Sequence, residues 1–231
     1  MPTLNNWKCE FCSRVFAQER GLINHSCEKK RRWFMRDQPQ ARYAFLAWSR
    51  FYELSMNSTG QKLKRSYKEF IDSNYYSSFY KFGKHITDLN AIDPKRFIDY
   101  VIRANIPINQ WCNDTVYDQY VRELTKKESP EEALERNILL MQQWSQETNE
   151  PWVDFFRKIS PGQAVLWLKR GRISPWVLYN VDSAIDLFDR CTPEQLSMIK
   201  EFAPIHSWKI KFSKNSDGVS FLRNTLSDAG L

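Results

Sequence analysis

Along most of the chain, apolar residues return at the helical spacing of three and four. Val116, Tyr120 and Leu124 form one such series, and Leu134, Ile138 and Met141 form another. Ala41, Phe45, Trp48 and Tyr52 make an apolar stripe, as do Leu63, Tyr67 and Phe70. Opposite these stripes lie Arg42, Arg50, Lys62, Lys64, Arg65 and Lys68, so helices are expected near 41–54, 61–72 and 74–86. Proline marks the starts. Asp93-Pro94, Ser129-Pro130, Ser160-Pro161, Ser174-Pro175 and Thr192-Pro193 each place an N-cap residue before a proline at the first helical position. Glu132, Gln163 and Gln195 complete capping boxes on Ser129, Ser160 and Thr192, and Glu150-Pro151 opens a further helix with a weaker cap. Two segments, Pro151-Trp152-Val153 and Pro175-Trp176-Val177, echo each other and read as helix starts whose tryptophans dock in one core. Only Trp208-Lys209-Ile210-Lys211-Phe212 alternates with period two in this part of the chain, and it is expected as a short strand or edge segment. The body from residue 39 is therefore expected to be all-α, with roughly eight to eleven helices of about 12–20 residues of chain each.

Length and composition narrow this picture. The 231 residues suffice for one sizeable domain or two small ones. No apolar run approaches the roughly 18–20 residues that span a bilayer, so no membrane partner is expected. Met1 to Asn6 carry neither a basic nor an apolar leader region, which points away from secretion and toward an intracellular protein. The 7 glycines and the lack of both G-x-G-x-x-G and G-x-x-x-x-G-K-[ST] argue against the Gly-rich nucleotide-binding folds. No H-E-x-x-H or G-x-S-x-G is present, and a non-enzymatic role is expected. Low glycine and abundant aromatics would suit a viral protein without establishing that origin.

Charge is uneven. Of the net +7, residues 1–50 contribute +6, and Lys29-Lys30-Arg31-Arg32 form a continuous run. Such a run on a near-neutral body suggests contact with a polyanion, DNA or RNA; the bland counterpart is a solvated basic face. Between Trp33 and Phe82 lie 14 of the 34 aromatics, interleaved with basic residues. That mixture can stack single-stranded bases. Because most of these aromatics keep the buried period, a helical core with a basic rim is favoured. Tyr75, Tyr76 and Tyr80 are the positions whose exposure would change this.

Of the five cysteines, Cys112 and Cys191 read as buried small hydrophobes. The other three join a histidine in Cys9-x2-Cys12-x12-His25-x-Cys27. Three thiolates and an imidazole complete a tetrahedral Zn2+ site with no open position, hence a structural one. With Trp7 two residues before the first cysteine, Phe16 four after the second, and Leu22 three before His25, residues 7–27 resemble a C2H2-type zinc finger. The resemblance implies a small ββα-like unit, with a hairpin over 7–16 and a helix over 18–25. The chain departs from that family at its fourth ligand. Cys27 lies only two residues beyond His25, about 200° around a continuous helix, so the helix must end near Ser26. This makes a C2HC variant. The family's base-reading positions fall on Gln18, Gly21 and Asn24, of which Gly21 offers no side chain.

The expected organisation is a finger over 1–28, a basic linker over 29–38 and an all-α domain over 39–231, with a subdivision near 127–130. The fold class is mainly α. The expected function is that of a nucleic-acid-binding accessory or regulatory protein holding phosphates through Arg14, Gln18, Arg20, Asn24, Lys29, Lys30, Arg31, Arg32, Lys64, Arg65 and Lys68. The alternative is an adaptor in a replication, transcription or assembly complex, its finger docked on a protein partner.

Overall fold

The computed structural model describes residues 7–55 and 65–231. It is mainly α. Among the described residues there are fifteen α-helices and a single sheet of two short strands. The chain forms two compact units, Met1–Asn113 and Asp114–Leu231.

The first unit opens with β1 (Trp7–Lys8) and β2 (Val15–Phe16), an antiparallel hairpin pairing Trp7 with Phe16 and Lys8 with Val15. Helix α1 (Glu19–Ile23) follows, then α2 (Glu28–Phe34) and α3 (Pro39–Ser55). After these come α4 (Tyr67–Asp72), α5 (Tyr76–Leu89) and α6 (Pro94–Arg103). The central pair is α3 against α5. Ala41, Ala44 and Ala47 are fully buried on α3, and Gly83 faces them from α5. A methyl group on Gly83 would sit 2.7 Å from the Ala44 nitrogen and closer still to the Gln40 carbonyl, so only glycine permits this approach. Aromatic side chains fill the remaining space. Trp111 has no exposed surface, donates its indole N–H to the Ile106 carbonyl at 2.7 Å, and meets the Phe82 and Phe79 rings at 4.9 and 5.7 Å. Arg50 forks onto Asp99 with bonds of 2.9 and 2.8 Å, tying α3 to α6.

In the second unit, α7 (Asp114–Lys127) and α8 (Pro130–Thr148) are followed by α9 (Phe155–Lys158), α10 (Pro161–Lys169) and α11 (Pro175–Leu178). Then come α12 (Ala184–Asp189), α13 (Pro193–Phe202), α14 (Ile205–Ser213) and α15 (Ser216–Asp228). Trp152 and Trp176 share one apolar core with Phe155, Trp167, Leu222 and others, as the repeated P-W-V segments suggest. A polar network crosses that core. The Glu128 carboxylate is 4% exposed; it accepts from Arg136 at 2.9 and 2.5 Å and from the Ser174 hydroxyl at 2.8 Å. Its backbone carbonyl accepts from the Trp176 indole at 3.1 Å.

All five cap-plus-proline pairs start helices, at Pro94, Pro130, Pro161, Pro175 and Pro193. The capping boxes on Ser129 and Thr192 are complete, whereas at Ser160 the structure shows one half, the Gln163 N–H donating to the Ser160 hydroxyl at 3.3 Å. Pro151 leads into a 3-10 turn, Trp152–Asp154, before α9.

Four expectations need correction. The 208–212 segment is helical, within α14, because Trp208 and Phe212 lie one turn apart and both pack on Trp176, at 5.9 and 5.1 Å. The stretch taken as a linker holds α2, which is packed on its neighbours. The 127–130 junction is a corner inside the second unit, held by buried Glu128, and the division between units falls at 113/114. The helices outnumber the expected eight to eleven because several, such as α9 and α11, have four residues. Of the helix expected over 61–72, the described part is α4; Lys62, Leu63 and Lys64 lie outside the described residues.

Candidate metal centre and its basic surroundings

The N-terminal hairpin and α1 bring four ligand types together. Ser13 takes a left-handed backbone (φ 61°), and its N–H closes on the Cys9 carbonyl at 2.9 Å, so Cys9 and Cys12 turn to one side. Helix α1 stops at Ile23, and the chain runs on through His25 to Cys27, which is extended and caps α2. The unwinding required by the His-x-Cys spacing therefore occurs. Cys9 Sγ and Cys27 Sγ are 4.0 Å apart, and Cys12 Sγ and His25 Nε2 are 3.1 Å apart. All four ligand atoms lie within 4.8 Å of one another, close enough to hold one metal ion.

Two thiols of the cluster shift in opposite directions. Burial raises the Cys9 thiol, but the backbone N–H groups of Cys12 and Phe11 outweigh it and hold the thiol below its ordinary value. The Cys27 thiol goes the other way: burial lifts it, the Lys30 N–H opposes, and the adjacent Cys12 and Cys9 sulfurs add to the rise. Neutral thiols can share so small a space, and a metal ion there would bind them as thiolates with release of their protons. The Phe16 ring lies 4.8 Å from that of His25, tilted by 48° to it. Gly21 leaves room for Phe16, since a Cβ there would be 3.2 Å from the ring, which explains why this position carries no base-reading side chain.

The basic candidates divide into two groups. Arg14, Gln18, Arg20, Asn24 and Lys68 are exposed. The Lys29–Arg32 run instead makes contacts within the chain. Lys29 pairs with Asp72 at 2.8 Å, Lys30 donates to the His25 carbonyl at 3.2 Å, and Arg31 pairs with Glu28 at 2.7 Å. Arg32 donates to the Ile71 carbonyl at 2.8 Å and to Glu28 at 3.1 Å, and lies 4.1 Å above the Tyr76 ring, with its side chain 18% exposed. Arg65 stacks on Tyr52 at 4.1 Å and Trp48 at 5.3 Å. Of the three deciding tyrosines, Tyr75 is exposed, Tyr80 half-buried and Tyr76 buried.

Three contributors escaped the sequence reading. Glu28 stands three and four residues before Arg31 and Arg32, a spacing that announces helical ion pairs and was legible. Phe11 packs on Trp33 and Phe34 at 6.0 and 6.5 Å, and Tyr67 donates its hydroxyl to the Arg32 carbonyl at 3.1 Å. Through these contacts α2 joins the cysteine loop to α4. Cys112 and Cys191, expected buried, are half-buried.

Compared with known proteins, the chain matches no family model, no curated protein and no solved structure. No helix among the described residues is long and apolar enough to cross a membrane.

Proposed function

We propose that residues 7–27 form a zinc finger of C2HC type and that the protein is a non-enzymatic nucleic-acid-binding accessory factor. Cys9, Cys12, His25 and Cys27 hold one structural Zn2+. Zn–S bonds of about 2.3 Å set tetrahedral sulfur–sulfur edges of about 3.8 Å, against 4.0 Å between Cys9 and Cys27. The ion supplies folding free energy that Phe16 and Leu22 alone cannot.

The observation that carries the nucleic-acid reading is the charge of the two units. The first holds 19 Lys/Arg against 10 Asp/Glu, a net +9, and the second 15 against 17, a net −2. Phosphate contacts come from Arg14 and Arg20 on the finger and Lys68 on α4, with Gln18 and Asn24 beside them. Arg32 and Arg65 serve the fold. The test is binding to duplex and single-stranded DNA and RNA across a salt series. Replacing Arg14 and Arg20 with Ala lowers the slope of log K against log salt by up to about 0.9 per contact on duplex and about 0.7 on single strands. An unchanged slope and affinity would remove the finger from the interface.

The adaptor reading draws on another observation. Val15, Ile23 and Phe34, around the cysteine cluster, are 52%, 68% and 66% exposed. If the protein binds neither DNA nor RNA at low salt, these side chains become the docking candidates.

A further inference from the structure

The second unit contains a cleft that belongs to neither the metal centre nor its basic surroundings. It has a volume of about 310 Å³ and runs between α7 on one side and the end of α13 with the start of α14 on the other. Sites for small organic ligands begin at about this size. The apolar side chains along it are Phe202, Pro204 and Trp208, and its polar ones include Arg122, Lys126, Ser207 and Lys211.

The charges make the cleft unusual within a unit of net −2. Lys211 is held at the back. Its ammonium donates to the carbonyls of Thr125 and Lys126 at 3.0 Å and of Glu128 at 3.2 Å, and lies 4.8 Å from the rings of both Trp176 and Trp208. No carboxylate pairs with it among the described residues; the nearby Glu128 carboxylate is engaged by Arg136 and Ser174. Burial holds this ammonium below its ordinary value, against the opposing pull of the Glu128 carboxylate. At the rim, Arg122 meets Glu201 only at 3.9 Å with both side chains more than half exposed, and Lys126 is exposed and makes no ion pair among the described residues. Three cations therefore line the cleft with one acid, Glu201, while Asp118 lies near Arg122 and Glu128 behind Lys211. Of the two aromatic side chains beside them, Phe202 is half-buried and Trp208 is 7% exposed.

We propose that this cleft binds a small organic anion carrying one aromatic ring, its phosphate or carboxylate at Arg122 and Lys126 and its ring along Phe202 and Trp208. Lys211 supplies fixed positive charge from behind, where its hydrogens are already engaged. A ring on Phe202 and Trp208 adds dispersion and stacking that a bare inorganic anion cannot use.

Adenosine monophosphate, 4-hydroxybenzoate and inorganic phosphate serve as probes, titrated into the full-length protein while the Trp208 indole resonance is followed by NMR, assigned through Trp208→Phe. One of the two aromatic anions is expected to shift that resonance saturably, which also tells phosphate from carboxylate. Inorganic phosphate should bind at least tenfold more weakly. The double variant Arg122→Ala/Lys126→Ala changes two exposed side chains, and its folding is checked by circular dichroism. It should weaken the aromatic anion at least tenfold. No saturable shift with either aromatic anion, phosphate binding as tightly as the better of them, or unchanged affinity in the folded double variant would each overturn the proposal.

Discussion

The two units are both helical, yet different forces fix their helices. In the first, α2 is placed by contacts at its two ends, with Cys27 at the ligand cluster and Arg32 at the Ile71 carbonyl and Tyr76 ring. In the second, the α7–α8 corner is placed by a buried carboxylate, Glu128, that collects an arginine, a serine and, through its backbone, a tryptophan and a lysine. One arrangement relies on a ligand set local in sequence. The other relies on groups up to 83 residues apart. Local sets can be read from spacing, while distant sets appear only once the chain has folded.

If the cysteine cluster holds zinc as proposed, removing the metal is the harshest way to break this contrast. Structural Zn2+ contributes about 10–16 kcal/mol to finger-sized peptides. A chelator, or Cys9→Ser, should abolish amide-exchange protection over residues 7–27 and weaken it in α2. Protection of α8 and α15 should be unaltered, and equal losses in both units would refute the separation. In the second unit, Glu128→Ala leaves Arg136 without its partner and should cost about 3–5 kcal/mol in urea unfolding. Glu128→Gln keeps an acceptor for Ser174 and should cost less; if both cost under about 1 kcal/mol, apolar packing alone holds this corner. Arg32→Ala should cost about 1.5–3 kcal/mol, the range for hydrogen bonds to a charged group. Gly83→Ala, which forces α3 and α5 apart, should cost about 1–3 kcal/mol. Its control is Gly162→Ala, where the nearest group is 3.9 Å away, and a helical alanine should be neutral or stabilising by a few tenths of a kcal/mol. Smallest of all, Lys29→Ala removes an exposed pair with Asp72 and should change stability by at most about 1 kcal/mol.

Legibility followed the same division. The ligand positions and the five proline starts are written within a few residues, where spacing and capping chemistry act directly. The stripe from Ala41 to Tyr52 was visible, but Ala44, Ala47 and Gly83 were not, since small residues carry little hydrophobic signal although they let the helices meet. Lys29 to Arg32 look like one basic face in the sequence. Yet Lys29 and Arg32 find their partners at Asp72, Ile71 and Tyr76, some 40 residues away, and no local pattern shows that Arg32 points inward. Trp208-Lys209-Ile210-Lys211-Phe212 misled for a related reason. Its two aromatics satisfy both a strand period and a single helical turn, and the choice was made by Trp176, more than 30 residues earlier.

The double role proposed for Cys27, ligand and cap at once, also sets a rule of phase. Because α2 begins at the residue after Cys27, every side chain on that helix has a fixed azimuth relative to the cysteine cluster. Each residue added or removed between Cys27 and Arg32 would rotate the rest of α2 by about 100°. One insertion would swing Arg32 away from Tyr76 and bring a neighbouring side chain to the Ile71 carbonyl. Substitutions in this stretch can be absorbed one at a time, whereas a change of length cannot. A cysteine cluster transplanted from another protein would have to match the count from its last cysteine to the first anchored arginine.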